Sequence, residues 1–297
     1  DHSAAARVRD LPPPQPDRRD AARPTSRTAC HPTPRTFVVT ALDVSTAWVR
    51  TCRALLDVPT HRAFHTVVRI LDPQRDDPVV RAELDRILAV KGMQPVRTVA
   101  NTIFPAALAA NTATHEDLVS RYRNLYPALK RMHSSNRLGT YFHRLIDYPG
   151  KDGGVDQIGG IIRQLRLQGK INPKSACYEA NLADPSTDGK SWTASAPIRV
   201  PGRDNGIMQF PCLSHCSFQL DNRTRRLHLA ALYRSHYMVE KAYGNYLGLG
   251  NLLAYVARQS DLEPGTLTVT AGYAQLDGYA IRLLRPLLTE TTPMLAA

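Results

Sequence analysis

From Thr36 onward the apolar positions recur in two rhythms, and the change from one to the other divides the chain. Residues 47–56 and 79–90, the second reading VVRAELDRILAV, carry apolar side chains at helical spacing, as an amphipathic helix facing a core would. His115–Met132 also reads as helical, with Pro127 expected to interrupt it, since proline lacks the N–H and crowds the preceding turn. A turn at 152–154 leads into an amphipathic helix over 155–167, with Ile158, Ile161, Ile162 and Leu165 on one face. Beyond it the rhythm shortens. Residues 210–220 and 227–235 read as strands joined by the polar connection DNRTRR, suited to a hairpin. Residues 245–259 return to helix with Leu249, Leu252, Leu253 and Val256 inward, then 261–265 turn and 266–270 form a β-branched strand.

Residues 1–36 follow neither rhythm. They contain LPPPQPDRRDAARP and further prolines and arginines, too little apolar surface to offset the entropy of folding, and read as a disordered tail. The expectation is therefore a Pro/Arg-rich tail over 1–36 and one α+β domain over 37–297, without internal repeats. At 297 residues and 43% hydrophobic content, the chain can bury a sizeable core.

The longest apolar stretch, near 100–110, is broken by Asn101, Thr102 and Pro105 and is too short for a bilayer. With no charged-then-apolar leader, a soluble, cytoplasmic protein is expected, with no membrane partner. Five widely spaced cysteines (Cys30, Cys52, Cys177, Cys212, Cys216) fit reduced thiols better than a disulfide framework. The net charge of +12 points to an anionic partner. The excess is mostly arginine spread thinly, without the patch of lysines and aromatics that a nucleic-acid binder concentrates, so a nucleic acid is not the favoured partner.

The segment QFPCLSHCSFQL (209–220) raises the chemical question. As a strand it would put Cys212, Ser214 and Cys216 on one face, with the cysteine Cα atoms ~13 Å apart. A disulfide needs Cα atoms within ~7 Å, and a shared tetrahedral zinc needs ligands closer still. Two separate thiols and no metal are expected. Cys216, deep in the strand, reads as a small buried hydrophobe. Cys212, after Pro211 at the strand entrance, is placed to face a cavity and needs a nearby cation to ionise, for which Arg234 is the candidate.

Read together, FPCLSHCSFQL, LHLAALYRSHY and GNYLGLGNLLAYVARQSDLEPGTLTVTAGYAQLD resemble the catalytic half of the thymidylate synthase family, in the family's order, over roughly 155–277. Upstream, VDQIGGIIRQL resembles the helix before the family's phosphate-binding arginines. The resemblance implies an α+β fold with a large mixed sheet, flanking helices and a sheet-to-sheet homodimer. It implies that Cys212 adds to C6 of a pyrimidine nucleotide, so that C5 can attack 5,10-methylenetetrahydrofolate, the co-substrate. Arg234 and Ser235 would hold the nucleotide phosphate, a guanidinium suiting it better than an ammonium. Asn245 would pair with the base edge, its amide offering both donor and acceptor.

The departures from the family pattern shape the expected product. The family's sugar-binding His and Tyr are Gln275 and Asp277 here, a pair that would accommodate a 2′-hydroxyl, and Tyr273 replaces an acid. An acid that touches the folate is replaced by Tyr237, next to His236. The arginine pair that reaches the neighbouring subunit's phosphate is missing from NPKSACYEAN, where Lys174 is the candidate clamp. The region LYPALKRMHSSNRLGTYF lacks the family's water-shielding tryptophan; the tryptophans are Trp48 and Trp192. In RLGTYF, Tyr141 and Phe142 compete for the place of the family's tyrosine, and of the two only Tyr141 can act; in VANTIFP the catalytic glutamate's place is Asn101, which cannot exchange a proton as a carboxylate does but could position a water.

An electrophilic methylene open to water would yield a hydroxymethyl product. Within the family the pattern is closest to the CMP 5-hydroxymethylases of mildiomycin-type nucleoside-antibiotic biosynthesis. The expected reaction makes 5-hydroxymethyl-CMP from CMP, methylenetetrahydrofolate and water. The preference for cytosine comes from that analogy alone, because Asn245 leaves the base open. The competing readings are a divergent thymidylate synthase methylating dUMP and an inactive relative that binds a nucleotide, RNA or a protein.

Overall fold

The computed structural model describes residues 36–132, 136, 139–150, 153–168, 195–200, 203–204, 211–278 and 280–290. The tail and its boundary at residue 36, Cys30, Cys177, Lys174 and Trp192 lie outside them, apart from Thr36 itself. β1 (Val38–Ala41) leads into α1 (Val44–Leu56), which returns the chain to β2 (Arg62–Ile70) in parallel with β1. Asp43 starts α1 by accepting the Thr46 N–H at 2.8 Å, giving the first turn an acceptor it otherwise lacks. α2 (Pro78–Val90) is capped likewise by Asp77, with Pro78 in its first turn, where no N–H is needed. Then come α3 (Val96–Ile103), α4 (Ala106–Ala110), α5 (His115–Met132) and α6 (Tyr141–Ile146). The ribbon β3 (Tyr148–Gly150) and β4 (Gly153–Val155) precedes α7 (Gln157–Gln168). The remainder runs β5 (Ser195–Pro197), β6 (Leu213–Asp221), β7 (Arg226–Tyr233), β8 (His236–Tyr237), a π-helical turn (Met238–Ala242), α8 (Tyr243–Gln259), β9 (Glu263–Gln275) and α9 (Ile281–Glu290).

Seven strands make one mixed sheet in the order β1-β2-β9-β7-β6-β5, with β8 also pairing β9. β9 lies antiparallel to β2 and parallel to β7, so both its edges are paired. The architecture is the expected mixed α+β, a large sheet with flanking helices. One face is apolar: Leu213, Cys216, Phe218 and Leu220 of β6, Leu227, Leu229, Ala231 and Tyr233 of β7, and Leu267, Val269 and Ala271 of β9 are all buried. α1 packs beside β1 and β2, and α8 beside β7 and β9. The other face carries Ser217, Gln219, His228, Thr266, Thr268 and Thr270, half-buried, with Ala230 and Leu232 exposed. Among the described residues no helix is long and apolar enough to cross a membrane.

Several local expectations need correcting. The strand placed at 266–270 runs over Glu263–Gln275, because neighbours on both sides satisfy its backbone well beyond the β-branched run, and 263–265 are strand rather than turn. Pro127 does not interrupt α5; Arg123, whose carbonyl loses its helical partner, is exposed, so water can satisfy it. α8 begins at Tyr243 and is preceded by the π-helical turn, which the sequence pattern did not show. Most consequential is a bulge in β6: pairing passes from Leu213↔Tyr233 to His215↔Leu232, leaving Ser214 as an extra residue. It reverses the alternation, so Cys216 shares the buried face of Leu213, and the expected common face for Cys212, Ser214 and Cys216 does not form.

Candidate active site

Two glycines bring the walls of the site together. A Cβ on Gly244 would lie 2.6 Å from Val99 Cβ, and one on Gly248 would lie 2.7 Å from the Ala100 carbonyl oxygen. Their absence lets α3 close against α8. Beside this crossing lies a cavity of about 430 Å3, within the size range of small-molecule sites. α3 contributes Thr98, Val99 and Thr102, and the start of α6 contributes Thr140 and Tyr141. The other wall holds Cys212, Ser235, His236, Tyr237, Glu240, Lys241 and Asn245.

Cys212 stands just before β6 and is half-buried. The end of β7 fixes its backbone: the Arg234 N–H donates to the Cys212 carbonyl at 3.0 Å, and Arg234 Nε donates to the Pro211 carbonyl at 3.0 Å. Burial pushes the Cys212 thiol above its ordinary value, while the Arg234 guanidinium and the Lys241 ammonium oppose that shift and Arg234 also hydrogen-bonds the sulfur. Burial is the larger effect. Cys216, with no such cations, is pushed up to about 12 by burial alone and is inert by comparison. Burial raises the Tyr141 hydroxyl above the ordinary tyrosine value, and the backbone hydrogen bonds it receives from Leu213 and Cys212 only partly oppose that shift. It keeps its proton at neutral pH.

Asn245 and His236 form a buried pair, 3% and 2% exposed, with Asn245 Nδ2 3.1 Å from His236 Nε2. The His236 ring stacks on Tyr233 at 4.4 Å between centroids and meets the edge of Tyr246. Burial depresses the imidazole to about 3, so the ring is neutral near pH 7. The π-helical turn supplies Glu240 and Lys241, ion-paired at 2.7 Å. Two groups hold that turn: Trp48 Nε1 donates to the Met238 carbonyl at 2.7 Å, and Asp277 Oδ2 accepts the Val239 and Glu240 N–H groups at 3.1 and 3.4 Å.

The structure thus gathers Cys212, Tyr141, Ser235, Asn245 and Tyr237 around one cavity, with Arg234 at the thiol. Asn101 does not join them. α3 turns Thr98, Val99 and Thr102 toward the cavity and leaves Asn101, with Arg97 and Ala100, on a separate groove with Arg81 and Asn251. Asp277 lies outside the lining with its carboxylate on the π-helical turn, and Gln275 pairs with Tyr237 in the β8–β9 ladder. Trp48 is fully buried, and among the described residues no tryptophan lines the cavity. Sequence reasoning missed Glu240 and Lys241 because it began the helix at 245 and assigned the residues just before it to no element. It also missed His236 as a partner of Asn245; their nine-residue separation crosses a strand, a π-helical turn and a helix start. Among the described residues, no group of three or more His, Cys, Asp and Glu is arranged to hold a metal ion.

No protein-family model matches the chain. Three archaeal proteins, each named "Putative thymidylate synthase", resemble it. The chain is 26% identical to that of Methanosarcina mazei over 186 residues, 61% of this chain and 71% of the relative. It is 31% identical to that of Methanococcoides burtonii over 137 residues, and 32% identical to that of Methanosarcina barkeri over 129. In these two the match spans about half of each relative, 52% and 48% of its length. These likenesses support a thymidylate synthase-like family.

Proposed function

We propose that the chain transfers a one-carbon unit to C5 of a pyrimidine nucleotide and releases 5-hydroxymethyl-CMP from CMP. The observation that carries the reading is a half-buried thiol facing a nucleotide-sized cavity, with two cations beside it and a buried amide on the same wall. Cys212 forms a bond to C6, giving C5 the electron density to bond to the carbon unit. Methylenetetrahydrofolate supplies that unit at the formaldehyde oxidation level, and the flat ring of Tyr237 and the side chain of Val99 suit its pterin. The C5 proton needs an acceptor. Glu240 is the carboxylate among the described lining residues and takes the proton-accepting role that Asn101, an amide in the place of the family's glutamate, cannot fill.

As the C5 proton passes to Glu240, the bond from the methylene carbon to the folate nitrogen breaks and tetrahydrofolate leaves, giving the exocyclic methylene. Water then bonds to that carbon and loses a proton, the electron pair moves to C5–C6 as the Cys212–C6 bond breaks and the thiolate leaves, and CMP has gained CH2O. That no tryptophan is among the described residues of the lining supports this water step. Arg234 and Ser235 hold the phosphate, with Lys174 as a further clamp; Asn245 meets the base and Gln275 the ribose. Asp277 acts indirectly, by ordering the turn that carries Glu240. The half-exposed sheet face, with Thr268, Thr270 and exposed Leu232, supports sheet-to-sheet pairing of two copies.

Methylation of dUMP fits the same thiol, cations and amide, and the names of the relatives favour it. Product mass separates the readings. CMP, dCMP, UMP and dUMP are each incubated with methylenetetrahydrofolate; a gain of CH2O on CMP is expected. A gain of CH2 on dUMP would establish the alternative, and no product from any of the four would leave a binding protein.

A further inference from the structure

We infer that His236 determines base specificity by fixing which end of the Asn245 amide is presented to the nucleotide. The inference rests on the pyrimidine-nucleotide reading above and adds to it the group that selects the base. A primary amide has one acceptor end and one donor end, nearly equal in shape, and a half-turn about its last bond exchanges them. The edges of cytosine and uracil oppose each other in the same sense: cytosine sets an acceptor nitrogen beside an amino donor, and uracil sets an N–H donor beside a carbonyl acceptor. An amide free to turn serves both bases. An amide held in one orientation matches one and sets like against like with the other.

Asn245 is held. Its Nδ2 lies 3.1 Å from His236 Nε2, with both side chains buried on the cavity wall. The imidazole is itself fixed, face to face with Tyr233 at 12° between planes and against the edge of Tyr246. Its backbone is tied to Ala274 of β9 through the β8 ladder. Burial keeps the ring neutral, so it carries one N–H and one bare nitrogen. With Nε2 bare and accepting, the amide NH2 must face the ring, leaving Oδ1 and the second amide hydrogen for the base. Turning the amide over would set Oδ1 against that bare nitrogen at a contact buried on both sides, which is strongly disfavoured.

The test compares CMP and UMP binding to the full-length wild type and to His236→Phe, which keeps an aromatic ring on Tyr233 and removes both nitrogens. Calorimetric affinities need no turnover. The wild type should prefer one base about tenfold or more, and His236→Phe should bring the two affinities within about threefold of each other. If both affinities fall together and the ratio holds, His236 is structural only and the inference is overturned while the nucleotide reading stands. A wild type without base preference also overturns it. Binding of neither nucleotide removes the nucleotide reading and the inference with it. Should His236→Phe fail to fold, 15N NMR of histidine-labelled wild type decides: the N–H should be on Nδ1, and an N–H on Nε2 would overturn the orientation.

Discussion

The two walls of the cavity differ in kind. The wall built from the start of β6, β8, the π-helical turn and α8 carries the thiol, a carboxylate, an ammonium, an imidazole and the base-facing amide, with Arg234 behind the thiol. The wall built from α3 and the start of α6 carries hydroxyls and apolar groups, Thr98, Val99, Thr102, Thr140 and Tyr141. Bond making belongs to the first wall. The second closes the space, donates from neutral groups and holds its distance through the glycine contacts of α8. Apart from Cys212, this chemistry lies within residues 235–245, and the parts are tightly coupled: β7 fixes Cys212, Asp277 after β9 caps the turn, and the same turn delivers Glu240 and Lys241.

That contrast can be broken at its strong end first. Cys212→Ala should abolish turnover, a loss of about 10⁴-fold or more in kcat with the melting transition retained, since removing a nucleophile leaves only binding and positioning. Glu240→Gln, measured as kcat in the same assay, should cost roughly 10²–10⁴-fold, as expected for an acid–base group in contact with the reacting atoms. Gly244→Ala pushes a methyl into Val99 and should destabilise the fold by roughly 1–3 kcal/mol in denaturant unfolding. Lys241→Met tests the electrostatics. Lys241 lowers the Cys212 pKa, so its loss should move the iodoacetamide-alkylation profile of Cys212 to higher pH, read by peptide mapping, with Cys52 and Cys216 unreactive in the core. Asn101→Ala should leave kcat/KM within about twofold, because α3 holds Asn101 away from the cavity; a large loss would place catalytic chemistry on the second wall.

The legibility of the sequence follows the same division. Strands β6 and β7 and helix α8 were readable because alternation and helical spacing mark them; that Cys212, Arg234 and Asn245 belong near one another came from the order of the motifs in the family resemblance, not from spacing. β1, β2, α3 and α9 were not identified. β2 mixes Arg, His and Val on a sheet half open to solvent, and α3 is only 8 residues long. Parity failed at Ser214, where one extra residue reverses every face downstream and leaves no compositional mark. Asn101 was misplaced by aligning a short motif without its helical phase, which decides the side of α3 it occupies. Asp277 is expected at the sugar from its place in the family pattern, and nothing in the sequence around it shows that its carboxylate accepts the Val239 and Glu240 N–H groups.

The most direct test follows the hydrogen at C5. With CMP labelled by tritium at C5, the wild type should release label to water only when methylenetetrahydrofolate is present, and Cys212→Ala should release none. Label that stays on CMP under turnover conditions, or release that survives the loss of Cys212, would contradict covalent one-carbon transfer at this cavity.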